Sequence, residues 1–459
     1  MAGYLLLAIV VFALVAFFVG QSAGKKFVAN DGTAVHSLPG YHGAFVAIWV
    51  GVPALLIVVA WLTFQNTILD QFLIASLPAS MTEGLSIAQR ALLISEIKNV
   101  AGGVVFGEPS PAINEAAARF KGWQEIAGWA MVVVALAIAT LALFFSRSRL
   151  ASRFRARSSV ESFIYWTMVA CSAFAILVTA GIVVSLVAEA WRFFSLVPAH
   201  EFFFGLRWEP QIPLRADQIA GAGAFGAVPV FLGTIVVATI AMVFATPIGI
   251  FTAIYLTEYA SERTRAIVKP MMELLAGVPT VVYGFFAVLT VAPAIRNAGT
   301  LMGLTTSPNS ALAAGGVMAI MIIPFISSLS DDALRAVPRS MRDGSLAMGA
   351  TRAETMTKVL LPAALPGIAG GILLALSRAI GETMIVVMAA GLIASLNINP
   401  LDSVTTVTVQ IVTLLIGDTS FDNPKTLAAF ALGLVLFLVT LGLNVIALNI
   451  VRKYREQYD

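Results

Sequence analysis

Nine stretches of this chain are apolar over the ~20 residues that a helix needs to cross ~30 Å of hydrocarbon. They fall near residues 4 to 20, 43 to 64, 126 to 145, 163 to 189, 228 to 256, 272 to 294, 311 to 329, 367 to 392 and 428 to 451. In hydrocarbon every backbone N–H and C=O must be satisfied within the segment, so such runs fold as helices. The expectation is an all-α polytopic membrane protein with about nine transmembrane helices. A soluble alternative fails on composition, because 459 residues that are 59% hydrophobic and 12% charged cannot cover a globular surface with polar groups. The first run is read as a retained anchor, since no Lys or Arg precedes it and Gln21-Ser22-Ala23-Gly24 is a poor cleavage site.

Basic residues orient the spans, because Lys and Arg are retained on the cytoplasmic side. If the loop with Arg147, Arg149, Arg153, Arg155 and Arg157 is inside, alternation also places Lys25, Lys26, Arg263, Arg265, Lys269, Arg335, Arg339, Arg342, Arg352, Lys358, Arg452, Lys453 and Arg455 inside. Outside are Arg90, Lys98, Arg119, Lys121, Arg192, Arg207, Arg215, Arg296 and Lys425. This roughly twofold bias predicts an N-terminus outside and a C-terminus in the cytoplasm. It also accounts for the net charge of +3 without nucleic acid as a partner. Cys171 is the single cysteine and is read as a small apolar core residue; with three His it offers no metal-ligand cluster.

Two unequal parts follow. Residues 1–150 hold three spans and a mixed-charge outside segment, 65–125. In that segment Ser86 to Val100 reads as an amphipathic helix with Ile87, Leu92 or Leu93, Ile94 and Ile97 on its apolar side, lying on the membrane or packing on the core. Pro109 and Ser110-Pro111 separate it from a second candidate, Ile113 to Phe120. No chemistry is assigned to this part. Residues 151–459 form a six-span block. Its first outside loop carries Trp191, Phe193, Phe194, Phe202, Phe203, Phe204 and Trp208, read as an interfacial aromatic belt or a docking surface.

A polar island, 331–365, interrupts this block on the inside. Ser340 to Met348 lacks β-branched residues, Gly349 permits a reversal, and Thr351 caps a second helix in which Glu354 suits the positive end. Leu361-Pro362 is expected to end that helix. One reading is an amphipathic hairpin on the bilayer. The other is a projecting knob that carries a partner's motion into the spans. The spacing of Asp343, Gly344, Ser345, Gly349, Val359, Leu361 and Pro362 resembles the EAA loop of bacterial ABC-importer permeases, where a separate ATPase docks. The family's usual Glu-Ala-Ala is Asp343-Gly344-Ser345 here, similar in charge and size but less helix-forming. The chain's nearest approach to an ATP-binding motif, Gly20 to Lys26, has the wrong spacing and lacks the magnesium-ligating hydroxyl. The chain is therefore expected to be a transport subunit rather than an enzyme.

Arg378 and Glu382 stand within the run from 367 to 392. An Arg there costs ~2.5 to 3.5 kcal/mol on insertion scales, and i, i+4 spacing places both residues on one helix face where they can pair. The pair is a structural lock between helices or a point on a transport path, where a guanidinium suits a tetrahedral oxyanion. Phosphate and sulfate are not distinguished by it.

Leu374 to Met388 (LALSRAIGETMIVVM), Pro324 to Ser330 (PFISSLS) and Phe225 to Pro229 (FGAVP) resemble PstC-type permeases of high-affinity phosphate importers, over roughly 160–459. The resemblance implies a six-span type I ABC-importer core with an N-terminal membrane extension, in a bacterial inner membrane. It further implies a PstA-type permease partner, a PstB-type ATPase dimer that binds ATP and Mg, and a PstS-type periplasmic phosphate-binding protein. No cofactor is expected on this chain. Arg378 and Glu382 match the family's membrane Arg and Glu implicated in phosphate transport. A sulfate or molybdate permease is the alternative, with a passive anion channel or phosphate-sensing scaffold behind it.

Overall fold

The computed structural model describes residues 2–31, 36–78, 81, 87–104, 110–211, 223–416 and 423–454. Ser86, Pro109, Arg215 and Arg455 lie outside the described residues. Among those described, nine helices are long and apolar enough to span a membrane: Gly3–Phe27, Pro39–Ser76, Pro111–Ser148, Ala156–Leu196, Val228–Tyr259, Thr280–Leu301, Ala311–Ala336, Arg352–Ile380 and Pro424–Lys453. The only strands described are Trp208–Glu209 and Ala224–Phe225, paired antiparallel. The chain divides into Met1–Leu177 and Val178–Asp459, with the division inside one long helix.

In the first unit, α1 (Ala2–Asp31) and α2 (Pro39–Ser76) approach closely through glycine. A Cβ on Gly20 would stand 2.7 Å from the His42 carbonyl oxygen, and one on Gly43 would stand 2.7 Å from that of Phe17. Small residues at such crossings let dispersion contacts replace the hydrophobic drive that is absent between helices in lipid. Val46, Val50, Ala54 and Val58 on α2 pack with Ala135 and Ala139 on α4 (Pro111–Ser148).

At 38 residues each, α2 and α4 are about 57 Å long, well beyond the hydrocarbon thickness. Their ends build a second core with α3 (Ile87–Ala101), using Leu69, Leu73, Leu77, Ile97, Ile113, Ala116 and Phe120. Lys98 closes it with an ion pair of 2.7 Å to Asp70. The amphipathic helix thus packs on protein, with Ile97 inward and Leu92 exposed. The segment 113–120 is no separate helix. Ser110 caps α4 and Pro111 occupies its first turn, where proline's missing N–H costs nothing.

In the second unit, α7 (Val228–Ile254) and α11 (Ala311–Ala336) form the central pair, burying Val237, Ala241, Ala245, Ala314, Met318 and Ile322. Gly249 fits against Ile326 and Gly315 against Ile240. Gly367 and Gly371, the GxxxG pair on α14 (Leu361–Ile380), fit against Ala333 and Leu329. The expected span 272–294 begins later. Residues up to Ala276 belong to the amphipathic helix α8 (Glu262–Ala276), and Gly277 and Pro279 separate it from the helix starting at Thr280.

Two side-chain expectations change. Phe193, Phe202, Trp208 and Phe225 form a buried edge-to-face cluster rather than an interfacial belt, while Trp191 and Phe204 stay exposed. Cys171 is exposed on α5 (Ala156–Leu196), whose most apolar window buries no residue. It is an exposed small residue in the single chain, not a core residue.

Candidate functional site

The loop folds as two helices around a glycine reversal. α12 (Arg339–Ala347) ends at Gly349, which has φ +87°, a left-handed conformation that side chains with a Cβ rarely adopt. Thr351 and Glu354 then form a reciprocal capping box: the Glu354 amide donates to Thr351 Oγ1 at 3.3 Å, and the Thr351 amide donates to Glu354 Oε2 at 3.0 Å. Ser345 and Thr355 hydroxyls, 3.0 Å apart, tie α12 to this start, α13 (Arg352–Thr355). Asp343, Gly344 and Gly349 are exposed, and so are Leu346 and Met348, an apolar tip on a charged knob.

Leu361-Pro362 does not end the second helix, contrary to the sequence expectation. α13 passes through a π turn, Met356–Leu360, directly into α14. The Leu361 amide reaches back to the Met356 carbonyl, and Pro362 enters the first turn of the next segment. The widened turn absorbs the proline that would break a regular helix. Val359 and Leu361 are half-buried at this root, beside Met356 and Leu360, which pack with Ala253, Leu334 and Val337. The knob's second helix and the span that follows are continuous, from Arg352 to Ile380.

Two buried carboxylates, neither singled out from the sequence, organise this end of the spans: Glu258 ties the knob to the span 228–259, and Asp331 ties α11 to α8. Glu258, in the π turn that ends the span 228–259, pairs with Arg342 of α12 at 2.6 Å. Asp331 on α11 accepts from Arg265 at 2.8 Å and Lys269 at 3.0 Å, both on α8, from Arg335 at 3.2 Å, and from the Thr257 hydroxyl at 2.8 Å. A carboxylate removed from water is tolerated when its acceptor sites are filled by cations and a hydroxyl in this way.

Arg378 and Glu382 do not sit on one continuous helix. α14 ends at Ile380, and a break over residues 381–383 leads into α15 (Met384–Ala389). Glu382 turns back on this second helix, its Oε1 accepting from the amides of Met384 at 3.0 Å and Ile385 at 3.5 Å. A carboxylate in this position satisfies N-terminal amides and complements the helix dipole. The expected Arg378–Glu382 ion pair is absent among the described residues, because the break turns the carboxylate toward those amides.

Arg378 instead lines a cavity of about 550 Å³ whose other polar members are Ser377, Thr408, Thr440 and Asn444. The Ser377 hydroxyl donates to Asn444 Oδ1 at 3.0 Å, so Asn444 keeps its amide N–H groups as donors in the lining. Thr408 donates to the Glu382 carbonyl at 2.7 Å, joining the helix break to α16 (Val407–Leu415). The segment between is held by Gln410, which accepts from the Trp208 indole at 2.8 Å and donates to Leu392 and Thr405. Its close packing against α7 leaves no room at Gly233, where a Cβ would overlap the Thr405 carbonyl. The Thr440 hydroxyl is likewise committed, to the Leu436 carbonyl, so the Arg378 guanidinium and the Asn444 amide are the groups left to donate to an oxyanion, in a lining that holds no carboxylate.

A family model described as "Binding-protein-dependent transport system inner membrane component" matches residues 245–456, and one described as "Phosphate ATP-binding cassette transporter" matches residues 6–178. The chain is 34% identical over 276 residues to the probable ABC transporter permease protein YqgH of Bacillus subtilis, covering 59% of this chain and 84% of that one. It is 32% identical over 277 residues to the phosphate transport system permease protein PstC 1 of Mycobacterium tuberculosis, covering 55% and 81%. Among solved structures, a bacterial alginate ABC transporter matches 66% of this chain and 98% of its own, at 16% identity and a TM-score of 0.46. With relatives at this identity aligned over most of their own length, the chain belongs to the binding-protein-dependent inner-membrane components of ABC transporters, as a PstC-type permease.

Proposed function

We propose that this chain is the permease subunit of an ATP-driven importer of inorganic phosphate. The observation that carries the solute class is the cavity in which Arg378 meets Ser377, Thr408, Thr440 and Asn444 beside a broken helix. Phosphate in particular is supported by relatives named as phosphate transport permeases. Half of a translocation path would be formed here and half by a related PstA-type permease. A PstS-type periplasmic protein would deliver the anion, and a PstB-type ATPase dimer would bind ATP and Mg and grip the knob. This chain itself would carry no cofactor. The charge bias of the loops supports an outside N-terminus and a cytoplasmic C-terminus.

In this reading, closure of the ATPase dimer moves α12, and the continuous helix from Arg352 to Ile380 carries that movement to the break beside Arg378. Twenty-nine residues at 1.5 Å each give a lever of about 43 Å. Ion pairs at Glu258 and Asp331 make the cytoplasmic ends of the neighbouring spans move with it. The anion is released inward when the cavity changes its access.

Radiolabelled uptake in cells with and without this chain, competed by phosphate, sulfate and molybdate, tests the solute. Phosphate should compete most strongly; competition by sulfate but not phosphate would turn the proposal to a sulfate permease. Uptake that survives ATP depletion would replace the importer with a passive anion channel.

A further inference from the structure

The first unit contains an open groove of about 650 Å³ between α2 and the start of α5. One wall is Phe45, Ile48, Trp49, Val52 and Pro53; the other presents Ser158, Ser159 and Ser162, then Phe163 and Trp166. The α5 wall changes from hydroxyls at Ser158 and Ser159 to aromatic rings at Phe163 and Trp166, while the α2 wall is apolar throughout. Both walls run eight residues in the same sense, which is about 12 Å of helix.

The hydroxyl end adjoins the arginine-rich segment. Arg157 precedes the serines directly, and its amide donates to Ser37 at 3.2 Å while its guanidinium pairs with Glu161. Phe154 is fixed against Phe45 with ring centroids 4.8 Å apart, which holds residues 153 to 155 at the groove's mouth. Arg149 stacks over Phe145 at 4.9 Å, and Phe145 in turn lies 5.6 Å from the groove residue Trp49. Among the described residues, no carboxylate pairs with Arg149, Arg153 or Arg155, so three arginine charges cluster here without an ion-pair partner among them. The surrounding helices are apolar enough to span a membrane, and the charge bias sets this end at the inner leaflet.

We infer that this groove is a binding site for an anionic phospholipid, its acyl chain against Trp49, Pro53, Phe163 and Trp166 and its phosphate headgroup at Ser158, Ser159 and the arginines. Basic pockets between membrane helices on the cytoplasmic side select such headgroups, and each arginine near the surface strengthens the attraction. An apolar slot that begins in hydroxyls and ends in aromatic rings matches the polarity of one lipid molecule along its length. Free phosphate would use the arginines but leave the slot unfilled.

The test uses the full chain in its purified assembly, stripped of lipid in mild detergent. Phosphatidylglycerol, phosphatidylcholine or inorganic phosphate is then added, and retained ligand is measured by native mass spectrometry alongside the melting temperature. Phosphatidylglycerol should be retained and raise the melting temperature, with phosphatidylcholine and inorganic phosphate doing neither. The triple variant R149Q/R153Q/R155Q should lose retention by about fivefold for each arginine removed. Ser162→Trp, which fills the slot and leaves every arginine in place, should lose it too, and it decides the matter alone if the triple variant melts before lipid is added. Equal retention of phosphatidylglycerol and phosphatidylcholine, a shift with inorganic phosphate alone, or wild-type retention by Ser162→Trp would overturn the site.

Discussion

Arg342 of the first loop helix and Glu258 at the end of the span 228–259 form an ion pair of 2.6 Å in which the carboxylate side chain is only 4% exposed. This pair connects the element proposed to dock the ATPase directly with a transmembrane helix other than the one that follows the loop. Removing Arg342 leaves a buried carboxylate without its ion-pair partner and with only the more distant charge of Arg352 beside it. Because the guanidinium keeps 37% of its surface exposed, the cost is set at about 1 to 3 kcal/mol rather than that of a fully buried pair. Arg342→Ala should therefore leave the complex assembled and hydrolysing ATP while phosphate uptake per ATP falls several-fold. Equal loss of hydrolysis and uptake would mean that the pair serves folding of the loop and not coupling.

Asp331 is the more densely occupied carboxylate. With Arg265, Lys269 and Arg335 all within 3.2 Å, it fixes α8 against α11. Asp331→Asn keeps the shape but leaves three cations facing one another, and should destabilise the chain by about 3 kcal/mol. Arg265→Ala should cost about 1 kcal/mol, since two cations remain on the carboxylate. Thermal unfolding of the purified complex compares the two, and a larger loss in Arg265→Ala would contradict this division of roles.

The nine spans were legible because their signal is local, a run of apolar residues of the right length. The knob was legible for the same reason, with Gly349, Thr351 and Glu354 carrying its reversal and cap in adjacent positions. Asp331 was not, since its partners Arg265 and Lys269 lie 66 and 62 residues away and only the fold brings them together. The break at 381–383 was hidden by apolar residues on both sides, which extend the run as though one helix continued. One signal was available downstream: Val404 to Leu415 is apolar but too short to cross a bilayer, the length expected of a re-entrant segment. Reading it so would have pointed to the buried Gln410 and to Thr408 beside the break.

The two glycines of the knob predict opposite outcomes. Gly344 lies inside α12 with nothing within 4 Å of an added Cβ, so Gly344→Ala should gain helix stability of about 0.5 to 1 kcal/mol and leave uptake intact. Gly349 has equally open space, yet its φ of +87° penalises any Cβ. Gly349→Ala should cost about 1 kcal/mol, and a β-branched Val more. Circular dichroism melts and uptake measured on both variants distinguish conformation from crowding; a loss in Gly344→Ala would show that docking requires a bare backbone there.

In the proposed importer, Arg378 and Asn444 would divide the recognition of the anion between charge and hydrogen bonding. Arg378→Ala removes the cation of the cavity and should abolish uptake without reducing assembly. Arg378→Lys keeps the charge but loses the planar donor fork, and should retain a minor fraction of the rate. Asn444→Leu removes amide donors at nearly constant size and leaves the Ser377 hydroxyl without its acceptor, a change of about 1 to 2 kcal/mol in anion affinity that raises KM by roughly fivefold to thirtyfold. Asn444→Asp is the sharper probe. It still accepts from Ser377 but sets a carboxylate in the lining with Arg378, competing with the transported anion for the guanidinium, so uptake should fall well below that of Asn444→Leu. Uptake by Asn444→Asp at or above the Asn444→Leu rate would remove this cavity from the anion's route.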